Sequence, residues 1–142
     1  AKRLCHCKQG HTATDAELHN LAQEYALDLA QTPAWQSNPT HQLQTLLQRW
    51  SQAYGNENGQ ITLFTPQGCD TCQGTGYKGR LGLHELLIAD DTIKRLIQER
   101  ARVAEVLAAC LTGGMHTLKM DGIEKVLMGW TDIKQVRTVC VK

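Results

Sequence analysis

Apolar positions along this 142-residue chain follow two rhythms, helical spacing through most of its length and short alternation near the middle. Leu18, Leu21, Ala22, Tyr25 and Leu29 recur at intervals of three and four, the stripe of an amphipathic helix. Thr14 and Glu17 stand before it as Thr-x-x-Glu, a capping box in which hydroxyl and carboxylate each satisfy an orphan backbone N–H. Gln31-Thr32-Pro33 is expected to stop this helix. A second starts near Pro39 and Thr40 and carries Leu43, Leu46, Leu47, Trp50 and Tyr54 on one face. The two stripes predict a helical hairpin in which each buries the other. Its outer faces, rich in Gln and His, show no catalytic pattern.

After Tyr54 the rhythm changes. Gly55 to Gly59 reads as a loop, and Ile61 to Thr65 alternates as a short strand that Pro66 ends. Residues 77–89 mix alternation with an apolar run at Leu86, Leu87 and Ile88 and predict a further strand. Asp90 or Asp91 then caps a helix bearing Ile93, Leu96 and Ile97. Val103, Val106, Leu107 and Cys110 form the next stripe, broken by Gly113-Gly114; Met115, Leu118, Ile123, Val126 and Leu127 belong to the helices that follow. Gly129 sits where a C-terminal cap is expected. Thr131 or Asp132 caps a last short helix through Val136, and Val139 and Val141 close the chain. These stripes are bundle core, with no cofactor box among them. The fold class predicted is mainly α with a small β element. A zinc-knuckle subdomain, 1–80, holds an inserted helical hairpin at about 14–54, and a C-terminal helical bundle, 81–142, follows.

Composition adjusts this picture only slightly. Fifteen basic against fourteen acidic residues give a formal net charge of +1, which argues against a dedicated nucleic-acid binder. No apolar run approaches the roughly 20 residues that cross a bilayer. Six cysteines in 142 residues are too sparse for a secreted disulfide scaffold, and the chain shows no signal peptide, so a reducing, intracellular setting is expected. Ala-Lys-Arg-Leu leads directly into the first cysteines without an initiator methionine, which suggests a piece of a longer polypeptide.

The chemistry lies in two cysteine pairs, Cys5-His6-Cys7 and Cys69-Asp-Thr-Cys72. Thiolate sulfur suits Zn²⁺, and a two-residue gap lets one tight turn present both sulfurs of the second pair to one ion. Glycines at 74, 76 and 79 permit the turns of such a knuckle. Cys-x-Cys is tighter than usual structural zinc spacing, which leaves His6 or His11 as alternative ligands for one thiolate. Unliganded thiols and a disulfide are the other readings of the four. With four protein ligands the site would be structural, leaving no open position for a reactive water. Cys110 and Cys140 lie in apolar surroundings and read as core fillers.

Residues 68–87, Gly-Cys-Asp-Thr-Cys-Gln-Gly-Thr-Gly-Tyr-Lys-Gly-Arg-Leu-Gly-Leu-His-Glu-Leu-Leu, resemble the zinc-knuckle exit of the type II secretion and type IV pilus assembly ATPases. Gly114-Met-His-Thr-Leu-Lys-Met-Asp-Gly122, Lys125-Val126, Gly129-x-Thr131 and Val136-Arg137 are similar to that family's C-terminal helical segment, and Arg-Leu-Cys-His-Cys-Lys to its first cysteine pair. The resemblance implies a hexameric cytoplasmic motor docked on inner-membrane platform proteins, with ATP hydrolysis driving addition or extraction of pilin-like subunits. It implies a structural zinc on Cys5, Cys7, Cys69 and Cys72, and contacts to the ATPase core of the same polypeptide and to neighbouring subunits. Arg80 and Glu85 match family positions without a catalytic role. Two departures stand out: the first pair has one residue fewer than usual between its cysteines, and residues 8–68 exceed the family's usual interval, which the hairpin fills.

No Gly-x-x-x-x-Gly-Lys-Ser/Thr occurs, so the phosphate cradle is missing and the chain is expected to be non-catalytic. ATP and magnesium would belong to a core encoded outside it. Two rival readings exist: a zinc-ribbon nucleic-acid module, with Lys78 and Arg80 beside the knuckle, and a DnaJ-type chaperone zinc domain. The first usually carries a stronger basic and aromatic surface. The second needs several copies of Cys-x-x-Cys-x-Gly-x-Gly, and this chain has one.

Overall fold

Among the described residues four short strands, paired two by two, tie together stretches far apart in sequence. The computed structural model describes residues 1–87 and 89–140, so the expectations placed on Ile88 and Val141 lie outside the described residues. β1 (Lys2–Leu4) pairs antiparallel with β4 (Tyr77–Arg80), and β2 (Gln9–Thr12) pairs antiparallel with β3 (Thr62–Thr65). β3 falls within the alternating segment. The hydrophobic pattern gives no sign of β1 or β2: Lys-Arg-Leu is too short to show one, and all of Gln9–Thr12 is exposed. Cross-strand pairing rather than burial makes β2 a strand.

The segment between β2 and β3 contains the predicted helical pair. α1 (Asp15–Tyr25) begins at Thr14, whose hydroxyl accepts the Glu17 N–H at 3.2 Å while Glu17 Oε1 accepts the Thr14 N–H at 3.1 Å. The helix stops before Leu29, which opens a separate 3-10 turn, Leu29–Gln31. Pro33 does more than stop a helix: it is the first residue of a short α2 (Pro33–Ser37), where its missing N–H leaves no bond unmade. α3 (Pro39–Tyr54) follows, its N-terminus capped by Asn38 Oδ1 on the His41 N–H. Tyr25 and Trp50 meet edge to face at 5.3 Å and join α1 to α3.

Among the described residues four further helices complete the chain: α4 (Asp91–Gln98), α5 (Val103–Thr112), α6 (Leu118–Leu127) and α7 (Ile133–Val139). Asp90 caps α4 and Asp132 caps α7, which runs three residues beyond Val136. Met115 precedes α6 instead of belonging to it, because the cap is Thr117. Gly129 follows α6 with φ +85°, the left-handed position that ends a helix.

The strand expected over 77–89 ends at Arg80. Residues 81–87 are a loop strapped to α6 by side chains. Asp121 Oδ2 accepts the His84 N–H at 2.8 Å, Glu85 Oε1 accepts the Leu118 N–H at 3.0 Å, and Lys125 Nζ donates to the Gly82 carbonyl at 2.6 Å. Backbone groups satisfied in this way need no ladder.

The hairpin stripes do not bury each other alone. Leu21, Tyr25, Leu46 and Trp50 share one core with Ile61, Leu63, Met120, Ile123, Val126 and Val136. α6 therefore packs against α1, α7 and β3, and its buried residues join the shared core. At Gly122 a Cβ would lie 2.6 Å from Val136 Cγ1, so α6 and α7 meet where one has no side chain. No helix of the described residues is long and apolar enough to cross a membrane.

Candidate metal centre

The strand pairing sets the site. β1 runs into the first cysteine turn and β2 leaves it, while β3 runs towards the second and β4 leaves it; pairing β1 with β4 and β2 with β3 brings the two turns face to face. The first turn closes tightly, with the Lys8 N–H donating to the Cys5 carbonyl at 3.0 Å. That three-residue span is what lets Cys-x-Cys point both sulfurs one way. The second turn is longer: the Gly74 N–H bonds the Cys69 carbonyl at 2.8 Å, and the Thr75 hydroxyl bonds the Cys72 carbonyl at 2.7 Å. A direct strap joins the turns, since the Cys5 N–H donates to the Gly76 carbonyl at 3.0 Å.

The structure brings Cys5, Cys7, Cys69 and Cys72 together, with their Sγ atoms all within 4.8 Å of one another. Cys5 and Cys69 are separated by 3.7 Å, Cys69 and Cys72 by 3.7 Å, and Cys7 and Cys72 by 3.9 Å. A disulfide needs about 2.05 Å, so none of these pairs is bonded. A regular tetrahedron of sulfurs with metal–sulfur bonds of about 2.3 Å has edges of about 3.8 Å. The observed separations lie at that length, and the all-thiolate donor set is one that zinc accepts. Of the two histidines considered as substitutes, His11 lies elsewhere: its Nε2 meets Glu17 Oε2 at 2.9 Å beside the α1 cap. His6 is exposed, with Nδ1 3.5 Å from Cys5 Sγ.

The backbone prepares these sulfurs for negative charge. Burial of Cys72 opposes ionisation, but N–H groups of Cys69 and Gly76, each 3.2 Å from its Sγ, outweigh it and lower the thiol to about 6. The Cys72 backbone likewise lowers Cys69. Burial, followed by hydrogen bonds to the sulfurs of Cys69, Cys5 and Cys72, pushes Cys7 up to about 11 against a bond from the Gly68 backbone. Without a cation the cluster divides into thiolate and thiol. A dication among the four would favour ionisation of them all.

Supporting contacts the sequence does not announce come from the turn after α6. The Leu4 N–H donates to the Trp130 carbonyl at 2.9 Å, and the wholly buried Thr131 hydroxyl donates to the Lys2 carbonyl at 2.8 Å. Lys8 Nζ reaches the Gly129 carbonyl at 2.7 Å and lies 4.3 Å from the Phe64 ring centroid. The Tyr77 hydroxyl donates to Asp132, the cap of α7. Gly129 and Thr131 stand out in the sequence, and the left-handed turn at Gly129 precedes the Trp130 and Thr131 groups that bond β1. Cys110 and Cys140 lie away from the cluster, one buried and the other packed against the core, and burial raises both thiols.

Together these features define a small, mainly helical module in which two cysteine turns form one four-sulfur cluster. The sequence profile described as Type II/IV secretion system protein matches residues 2–138, and the chain belongs to that family. It is 42% identical over 74 residues to a type IV pilus assembly ATPase PilB of Thermus thermophilus, a match covering 52% of this chain and 8% of that relative. It is 41% identical over 76 residues to a type II secretion system protein E of Dickeya dadantii, covering 53% of this chain and 15% of the relative. A type IV pilus assembly ATPase TfpB of Acinetobacter baylyi is 34% identical over 77 residues, 54% of this chain and 13% of the relative. The chain thus spans a small fraction of the length of these relatives.

Proposed function

We propose that this chain is the zinc-clamped, non-catalytic C-terminal region of a secretion or pilus-assembly motor. The observation that carries the reading is the set of sulfur separations, 3.7, 3.7 and 3.9 Å, in a chain that the family profile matches over residues 2–138. Cys5, Cys7, Cys69 and Cys72 would hold the ion as thiolates. The ion would supply a cross-link and positive charge, and four sulfurs would leave no place for a reactive water. In this reading residues 1–80 form the clamped subdomain and 81–142 the helical one, sharing a single core.

Relatives named as pilus assembly ATPases support an ATPase parent; in this reading it binds ATP and magnesium in a core outside these residues and works as a hexamer. That parent would act at the cytoplasmic face of the inner membrane, on platform proteins, to add or extract pilin-like subunits. The tail would stiffen each subunit and contact its neighbours; the helical insert would enlarge that contact surface.

The test has two parts. Elemental analysis of the reduced chain should find one zinc per molecule, and a parent with all four cysteines changed to serine should keep nucleotide binding but lose hexamer assembly and turnover. A chain without stoichiometric zinc, or a serine parent that assembles and turns over normally, would overturn the reading.

A further inference from the structure

Charge is balanced along the sequence but not over the folded surface. Folding gathers Lys2 and Arg3 of β1, Lys78 and Arg80 of β4, and Lys8 of the first cysteine turn into one region, five of the fifteen lysines and arginines. Neither strand carries an acidic residue, and all four strand cations are exposed. Lys2 lies directly opposite Arg80 in the ladder. Like charges so placed destabilise the pairing, so local stability does not explain them. A loaded site does not absorb them either: four thiolates around a dication leave about two negative charges, fewer than the cations around them.

Beside the ribbon lies an open cleft of about 550 Å³, lined by Arg3, His6, Lys8, Lys78 and Trp130. Lys8 is already engaged with Gly129 and Phe64. Trp130 is 41% exposed, and the Arg3 guanidinium stands 5.9 Å from its ring. An exposed tryptophan ringed by cations has the composition of a protein-binding hot spot. The recess admits side chains, which a flat bilayer surface does not supply. Strands of three and four residues give a cationic track only about 13 Å long, short for a nucleic-acid backbone. The outer edge of β1 is closed by Trp130 and Thr131, so an incoming chain engages through its side chains.

From this we infer that the Trp130 cleft beside the β1–β4 ribbon docks an acidic, extended segment of a partner protein, its carboxylates meeting Arg3 and Lys78 and an apolar side chain covering Trp130. The inference rests on the fold and its charges and stands whether or not the parent is a secretion motor.

Fluorescence anisotropy of the zinc-loaded chain with a labelled peptide of alternating glutamate and leucine tests it, at low and high salt. Binding should be saturable and weaker in salt. The glutamine version of the peptide should bind at least about tenfold less well. The double change Arg3→Glu and Lys78→Glu, and separately Trp130→Ala, should each weaken binding about tenfold with zinc content unchanged. The same charge change on α4, Lys94→Glu with Arg95→Glu, should leave it intact. Should a ribbon variant fail to fold, Lys78→Gln alone gives the same comparison at smaller amplitude. Absent binding, equal loss from the α4 variant, or tighter binding to phosphatidylglycerol vesicles or a thymidine oligonucleotide would overturn the proposal.

Discussion

Cys72 is the sulfur on which the second turn converges, accepting two backbone N–H groups at 3.2 Å. Its folded value of about 6, against 9.0 for an ordinary thiol here, means the metal-free fold holds thiolate where the unfolded chain holds thiol. Such a group adds stability above its unfolded value and loses it as pH falls towards 6. Cys7, pushed up to about 11, has the opposite sign: its contribution is present below 9.0 and is lost as pH rises towards 11. Burial raises Tyr77 to about 12, which adds to the alkaline loss. The chelated, reduced protein should therefore show a melting temperature that climbs from pH 6, peaks near 9 and falls towards 11, followed by circular dichroism; a flat profile would contradict the assigned charges. Replacing Cys72 with serine removes one of the four candidate ligands and both N–H–sulfur bonds. Loss of a mere supporting group around a metal weakens binding about 10–100-fold, so this change should exceed the upper end of that range in a competitive zinc-chelator titration.

At the scale of elements, α6 and α7 meet at a glycine that leaves no room for a side chain. A methyl at Gly122 would meet Val136 Cγ1 at 2.6 Å and Cγ2 at 3.0 Å, and Val136 is wholly buried with a stiff, branched side chain. Helix propensity favours alanine over glycine by about 1 kcal/mol, while overpacking of this kind costs about 1–3 kcal/mol. Gly122→Ala should thus destabilise by about 1 kcal/mol in urea unfolding. Val136→Ala should make the same alanine neutral or helpful, a non-additivity the double-mutant cycle reads directly. Glu85→Ala should release the 81–87 loop, raising amide exchange at His84 and Leu118 while α3 stays protected. Which elements were legible follows the same division between local and distant causes. The cap at Thr14, the narrow choices that held Asp90 and Asp132, and the stripes of α1 and α3 depend on residues within a turn or two, and the sequence shows them. The core stripes expected in α4 and α5 hold only in part, since Ile97 and Val103 are 54% and 84% exposed where nothing packs over them. β1, β2 and the short strand–loop exit after Arg80 depend on partners across the chain, such as Asp121 for His84, which no local pattern announces. The cysteine spacing marks four candidate ligands. That Cys5-x-Cys7 fits beside Cys69 and Cys72 depended on the turn closed by Lys8, and the basic ribbon became visible only once Lys2 faced Arg80.

For the whole molecule, the question is how far the four-sulfur cluster supports the fold. Ligand position alone would have metal removal loosen residues 1–11 and 61–80 together. The shared core argues for a narrower response. Ile61 and Leu63 are 2% and 7% exposed and pack with Leu21, Trp50 and Val126, so β3 is held by apolar burial that does not depend on sulfur. The Ala13 N–H, bonded to the Ile61 carbonyl at 2.8 Å, belongs to that same anchored region. Burying side chains of this size contributes about 1.5–3 kcal/mol each. The two cysteine turns have no comparable support: residues 66–71 and 73–75 are mostly exposed, and their straps are single hydrogen bonds such as Cys5 to Gly76. Binding energy at a structural metal is folding energy only for what the metal orders. Chelation should therefore strip exchange protection from the amides of Cys5, Lys8, Gly74 and Gly76 by orders of magnitude. Ala13, α3 and α6 should exchange almost as before, because their opening is tied to global unfolding of the common core. Hydrogen exchange with and without chelator separates the possibilities: equal loss at Ala13 and Gly76 would mean that the metal supports the whole molecule, and unchanged protection at Gly76 would mean that the turns hold themselves.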